Sequence, residues 1–189
     1  MAYLTAAMVL IGLLTIVNLL LTVGVVRRLR EHTTDLADLR DNRPVADDSD
    51  IALPAGSMVG SFDASGVDGR PVTLSAFGDR LLTGFFSPNC GPCKERLPSF
   101  IEYAAARPGG RDAVLAVAVG TPEETAELVE RLQPVATVVR EPDQGPVQKA
   151  FAVAGFPAFV LMEDGRVVTS HYDFDSVVAM DSVPLPASG

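Results

Sequence analysis

Leu81-Leu82-Thr83-Gly84-Phe85-Phe86-Ser87-Pro88-Asn89-Cys90-Gly91-Pro92-Cys93-Lys94 joins a short apolar run to two cysteines separated by two residues. The run over residues 81–86 predicts a buried strand, and residues 90–106 predict a helix. The cysteines therefore stand at a strand-to-helix corner. A helix N-terminus presents unpaired N–H groups and the positive end of the macrodipole, both of which favour a thiolate. Cys90, at or near the cap, is expected to ionise more readily than a free thiol. Cys93, one turn further in, is expected to be shielded and able to attack a mixed disulfide formed at Cys90. Pro92 suits a first helical turn and stiffens the short loop.

Three plainer explanations of the pair are weaker. A zinc half-site needs two more ligands, and the chain offers no other cysteine and only His32 and His171. A structural disulfide would close too short a loop to stabilise much. Ordinary core cysteines rarely fall at this spacing at such a corner. Redox chemistry is the favoured reading.

The rest of the chain sets the context. Its 189 residues allow one ordinary domain plus an appendage. A composition with 48% hydrophobic and 21% charged residues excludes a disordered chain. Two cysteines are too few for a disulfide-stapled scaffold. A net charge of -9 argues against nucleic-acid binding.

The mean hydropathy of +0.26 is high for a soluble domain, and the excess sits at the start. Residues 2–26 carry no charge, long enough to cross a hydrocarbon core of about 30 Å. No basic residue precedes the run, it is too long for a signal-peptide core, and no small-x-small cleavage site follows. An uncleaved transmembrane anchor is therefore expected over residues 1–28. Residues 29–57 read as a juxtamembrane helix, stopped by Pro44, and an acidic linker whose residues 47–54 form a flexible tether. His32 in this stretch reads as a surface histidine. Residues 58–181 form the folded domain, and residues 182–189 a disordered tail.

Within the domain, residues 60–63 and 71–73 flank an Asp68-Gly69 turn and predict a hairpin. Further strands are expected over 113–119, 135–139, 158–162 and 166–170, the last two joined by Glu163-Asp164-Gly165. Thr121-Pro122-Glu123-Glu124 reads as a capping box opening a helix with Leu128 and Leu132 on its inner face. Short helices are expected over 147–153 and 174–180. The last is short enough to leave its face of the sheet poorly covered. The alternation predicts an α/β fold: a mixed central sheet with helices on both faces, preceded by one N-terminal transmembrane helix.

At this point the sequence resembles a family. The segment Phe85 to Lys94, followed by Pro98 within the helix, resembles the thioredoxin active-site segment. Gly155-Phe156-Pro157, leading into a strand and the Asp164-Gly165 hairpin, is similar to that fold's proline loop. The resemblance covers residues 58–172. The anchor, the N-terminal hairpin and the longer middle section resemble the TlpA-type, membrane-tethered branch. The Cys-Lys-x-x-Leu-Pro run and the anchor are also similar to the thioredoxin-like accessory proteins of methylamine dehydrogenase maturation.

The resemblance implies roles residue by residue. Cys90 matches the attacking thiol and Cys93 the resolving thiol, with Gly91 and Pro92 between them. Pro157 matches the family's cis proline, and Phe156 would offer backbone groups to an extended substrate. Pro98 matches the proline that kinks the active-site helix. There are departures. Asn89 stands where tryptophan is usual, and Gly84 where thioredoxin carries a buried acid. Arg96 stands where TlpA-like proteins have a glutamate, leaving its neighbour Glu95 as the candidate proton acceptor for Cys93.

The expected function is a membrane-tethered thiol–disulfide oxidoreductase acting on cysteine-containing client proteins, with no metal and no organic cofactor. The Gly-Pro filling leans towards reducing thioredoxins, at about −270 mV, rather than strong oxidants at about −120 mV. A peroxiredoxin-like peroxidase would need proline where Thr83 stands and serine or threonine where Ser87 stands, so one position of two fits. A tethered module that binds at Phe156-Pro157 without turnover is the non-enzymatic alternative. His171 and Tyr172 read as structural. Arg27, Arg28 and Arg30 favour a cytoplasmic domain by the positive-inside rule. The family works outside the cytoplasm, and the expectation leans that way, with a transmembrane thiol carrier as electron donor.

Overall fold

The computed structural model describes residues 51–181 together with Tyr3, Gly12 and Thr15. The expected anchor over 2–26, the arginines after it, His32 and the tail over 182–189 lie outside the described residues, those three positions apart. Among the described residues, no helix is long and apolar enough to cross a membrane.

Strand β3 (Arg80–Phe86) is buried at every position after Arg80, and β4 (Val114–Val119) is buried throughout. Strands this apolar must be covered on both faces, which places them inside a sheet. They pair in parallel, Leu82 against Val114 through Phe86 against Ala118. On the outer side of β4 lies β5 (Thr137–Glu141), also parallel. On the other side of β3, β6 (Ala158–Glu163) runs antiparallel, followed by β7 (Arg166–His171). The five-stranded order is β5-β4-β3-β6-β7. A separate two-stranded sheet holds β1 (Asp63–Ser65) and β2 (Pro71–Thr73).

Two apolar layers sandwich the sheet. One contains the long helix α1 (Gly91–Ala106), α2 (Ala126–Leu132) and the terminal helix α4 (Phe174–Asp181). The other contains α3 (Pro146–Ala150), the β1–β2 hairpin and residues 51–53. The expected mixed sheet with helices on both faces is therefore present.

The differences from expectation are local. The first hairpin strand begins at Asp63 rather than residue 60, and β5 begins at Thr137 rather than residue 135. The capping-box bonds form: Thr121 N donates to Glu124 Oε2 at 3.0 Å, and Glu124 N to Thr121 Oγ1 at 3.4 Å. Regular helix nevertheless starts at Ala126. Thr125 (φ −93°, ψ 0°) donates its hydroxyl back to Thr121 O at 2.8 Å, and residues 122–125 stay as turns.

The terminal helix covers its face better than its length suggested. Phe174 and Val177 are buried, and the Phe174 ring packs with Phe100, Phe159 and Tyr103 at centroid distances of 4.9–5.6 Å. Asp181 ties the helix end down. It accepts from Arg80 Nε at 2.8 Å and Tyr103 Oη at 2.6 Å, and pairs with Arg107.

Residues 51–57, read from sequence as the end of the linker, are bonded to the domain. Leu53 N donates to Phe151 O at 2.9 Å, Gly56 N to Val167 O at 2.7 Å, and Val167 N to Ser57 O at 2.9 Å. The last two lie along the outer side of β7. On the outer side of β5, Val67 N donates to Val138 O at 2.9 Å and Gly66 bridges to Val139.

Glu141, at the end of β5, is buried and was not singled out from sequence. Its carboxylate accepts from Val147 N at 2.9 Å and Gln148 N at 2.8 Å, at the start of α3. A Cβ at Gly145 would fall 2.5 Å from Glu141 Cδ, so only glycine fits there. Burial raises the Glu141 carboxyl above its ordinary value, partly offset by the two N–H donors. The folded state then holds the proton where the unfolded state has released it. This contribution to stability is present below the ordinary carboxylate value and is lost as pH rises through the raised one. Glu141→Gln turns an amide donor towards a backbone N–H and should cost about 1–3 kcal/mol in urea unfolding. That deficit should shrink as pH rises from below the ordinary carboxylate range. A deficit that grows with pH would contradict the sign.

Candidate active site

β3, the central strand, ends at Phe86, and Ser87-Pro88-Asn89 turns the chain into α1. Cys90 is the N-cap (φ −94°, ψ 114°), with Pro92 in the first turn. Cys90 and Cys93 are joined as a disulfide, with Cα atoms 5.2 Å apart. Cys93 N donates to Cys90 Sγ at 3.1 Å, so the sulfur itself satisfies one of the helix's open donors. The two sulfurs sit in unequal surroundings. Cys93 is 1% exposed, packed with Phe86, Leu97 and Phe100. Cys90 is half-buried, while Asn89, Gly91 and Pro92 around it are exposed.

The proline loop meets this corner from across the sequence. The Phe156–Pro157 peptide bond is cis. Phe156 O lies 3.4 Å from Cys90 Sγ. Pro157 is buried at the start of β6, and Phe156 packs against both core layers. Thus Cys90, Cys93 and Phe156-Pro157 converge.

The remaining candidates lie around them. Pro98 sits on the exposed side of α1, and the helix continues past it to Ala106, so the proline is not a stop. Glu95 is exposed on the same helix. Arg96 turns to α4, pairing with Asp173 at 2.8 Å and Asp175 at 3.6 Å. Asn89 contacts Glu124, whose carboxyl is held below its ordinary value first by the Thr121 N–H, then by the Thr121 hydroxyl and Asn89. Ser87 is half-buried in the loop, whereas Thr83 is fully buried in β3. His171 accepts from Asp173 N at 2.8 Å and stacks on Tyr172. A cavity of about 580 Å³ lies at the other end of β3, lined by Phe62, Leu74, Phe77, Leu81 and Met162, with none of the cysteine-loop residues.

No family model matches the chain, and no curated protein matches it. Solved structures do. The thioredoxin domain of a thiol-disulfide oxidoreductase from Bacteroides vulgatus superposes with a TM-score of 0.58 at 19% identity, covering 68% of this chain and 96% of that one. A putative thioredoxin from Neisseria meningitidis gives 0.53 at 24% identity, covering 64% and 85%. A secreted Mycobacterium tuberculosis disulfide oxidoreductase gives 0.51 at 22%, covering 63% and 92%.

The fold is thioredoxin-like.

Against a thioredoxin-like frame, the departure at Gly84 has a structural reason. A Cβ there would fall 2.8 Å from Phe100 Cε2 and 2.8 Å from Phe86 Cε2. The two rings, 5.1 Å apart, occupy the space an acidic side chain would need beneath the cysteines. Among the described residues no other acid takes that place, and Glu95 is exposed. Gly84→Asp would force a carboxyl between two rings with no partner, and should cost at least about 3 kcal/mol. Urea unfolding measures this; a variant as stable as the parent would show that the rings yield.

Proposed function

We propose that the protein is a membrane-tethered thiol–disulfide oxidoreductase that reduces disulfides of client proteins through Cys90 and Cys93. The observation that carries this is the unequal setting of the two sulfurs: one half-buried at a helix cap beside a cis proline loop, one sealed beneath it. In the reduced protein, the helix N-terminus and the Cys93 N–H favour the Cys90 thiolate. This thiolate attacks a client disulfide. A Cys90–client S–S bond forms, the client's own S–S bond breaks, and the leaving sulfur takes a proton.

Cys93 then gives up its proton and attacks Cys90 Sγ. The internal disulfide forms, the mixed disulfide breaks, and the second client sulfur leaves as a thiolate. Two electrons have passed to the client, and a thiol reductant must restore the pair. Glu95, exposed on the same helix, is proposed to accept the Cys93 proton through water rather than by direct contact. The Phe156 backbone pairs with an extended client segment. The cycle uses no metal and no organic cofactor.

Reduction of insulin by dithiothreitol tests the assignment. Cys90→Ser should lower the rate at least about a hundredfold, and Cys93→Ser should accumulate a client mixed disulfide. Undiminished turnover in Cys90→Ser would sink the assignment. Full biological activity of Cys90→Ser would point instead to a tethered binding module.

The tether is the apolar run over residues 2–26, and the domain is placed on the extracytoplasmic side, re-reduced by a transmembrane thiol carrier. A membrane-impermeant maleimide applied to intact cells holding the reduced full chain should label Cys90. Labelling only after permeabilisation would put the domain in the cytoplasm, as Arg27, Arg28 and Arg30 suggest.

A further inference from the structure

Residues 51–53 form a strap under the proline loop. Leu53 N donates to Phe151 O and Ala154 N donates to Ile51 O, both at 2.9 Å, so two backbone bonds bracket residues 151–154. Ser170 Oγ donates to Leu53 O at 2.9 Å, pinning the strap to β7. The bracketed stretch contains Ala152 at φ +50°, a left-handed conformation that non-glycine residues hold only when their surroundings impose it. Next in line is Gly155. A Cβ built on it meets a single neighbour within 4 Å, Ile51 Cδ1 at 3.2 Å. Phe156 follows, packed in the same apolar layer as Ile51, with its carbonyl 3.4 Å from Cys90 Sγ.

We propose that Ile51 is a positioning residue for thiol–disulfide exchange. Its Cδ1 closes the space beside Gly155 where a side chain would stand, and so sets where the Phe156 backbone stands beside Cys90. The inference builds on the exchange reading above and adds a residue that touches neither sulfur. It also gives Gly155 a reason: a Cβ at this position would crowd the Ile51 methyl by a few tenths of an ångström.

The effect should depend on the substrate. A polypeptide disulfide must pair with the Phe156 backbone as well as reach Cys90, whereas a small aromatic disulfide needs only Cys90. Loosening the loop should therefore weaken binding of the first and spare the second. Ile51→Val deletes the δ-carbon that closes the space beside Gly155 and little else. In the full chain, Ile51→Val should raise KM for insulin about threefold with kcat nearly unchanged, while the rate with 5,5′-dithiobis(2-nitrobenzoate) stays the same. Gly155→Ala introduced beside Ile51→Val puts a carbon back into the vacated space, and should return KM towards the parent value.

Equal slowing on both substrates would mean a general loss of folded protein and would overturn the proposal. So would an unchanged KM, or a double variant no better than Ile51→Val. If Ile51→Val failed to fold, Gly155→Ala alone decides: it crowds the same contact, and an unchanged insulin KM in it overturns the proposal. Failure of the exchange reading looks different, because the parent protein would then reduce neither substrate.

Discussion

β3 is dry on both faces, so none of its residues between Leu81 and Phe86 can present a reactive group to solvent. Chemistry is displaced to the first point where the chain escapes burial, the turn at Ser87-Pro88-Asn89 and the helix start beyond it. There the backbone has open N–H donors that need an acceptor. A cysteine at the cap supplies one, and its sulfur accepts from Cys93 N. The same bond that starts α1 therefore holds the half-buried sulfur in place, and helix geometry brings the second sulfur under it.

The opposite wall of the site comes from a different part of the chain. β6 pairs antiparallel with β3, Ala158 opposite Phe85, so the residues entering β6 arrive beside those leaving β3. Phe156 and Pro157 thus reach Cys90 through sheet register. Behind them, the bracket of bonds from residues 51–53 fixes the approach path. Beneath the cysteines, Phe86 and Phe100 fill the space at Gly84. The site is accordingly open on its outer side and apolar below, with charges such as Arg96 and Glu124 confined to its rim.

Much of this was legible in the sequence because it rests on strong local signals. The apolar runs of β3 and β4, the Asp-Gly turns and the cysteines at a strand-to-helix corner each carry their meaning within a few residues. What escaped was set by distant partners. Glu141 reads as a surface acid at a strand end until its carboxylate is seen capping α3. The late start of α2 depends on how Thr125 bonds back to Thr121. Residues 51–54 fall in the stretch read as tether and 55–57 in the rest of the linker, since an Ala-Leu-Pro-Ala-Gly stretch has no periodicity; their bonds to Phe151 and Val167 come only with the tertiary fold. The cover supplied by α4 likewise depends on Asp181 meeting Arg80, Tyr103 and Arg107 from other elements.

The segments laid along β5 and β7 have a consequence for crowding. Bare outer strands are templates on which a second chain can add its own strand, the usual first step towards fibrils or swapped dimers. Here Gly66 and Val67 occupy part of one outer strand, and Gly56, Ser57 and Met58 part of the other. Copies of a protein meet often in any crowded compartment. Blunted rims let such meetings pass without one copy adding a strand to the next.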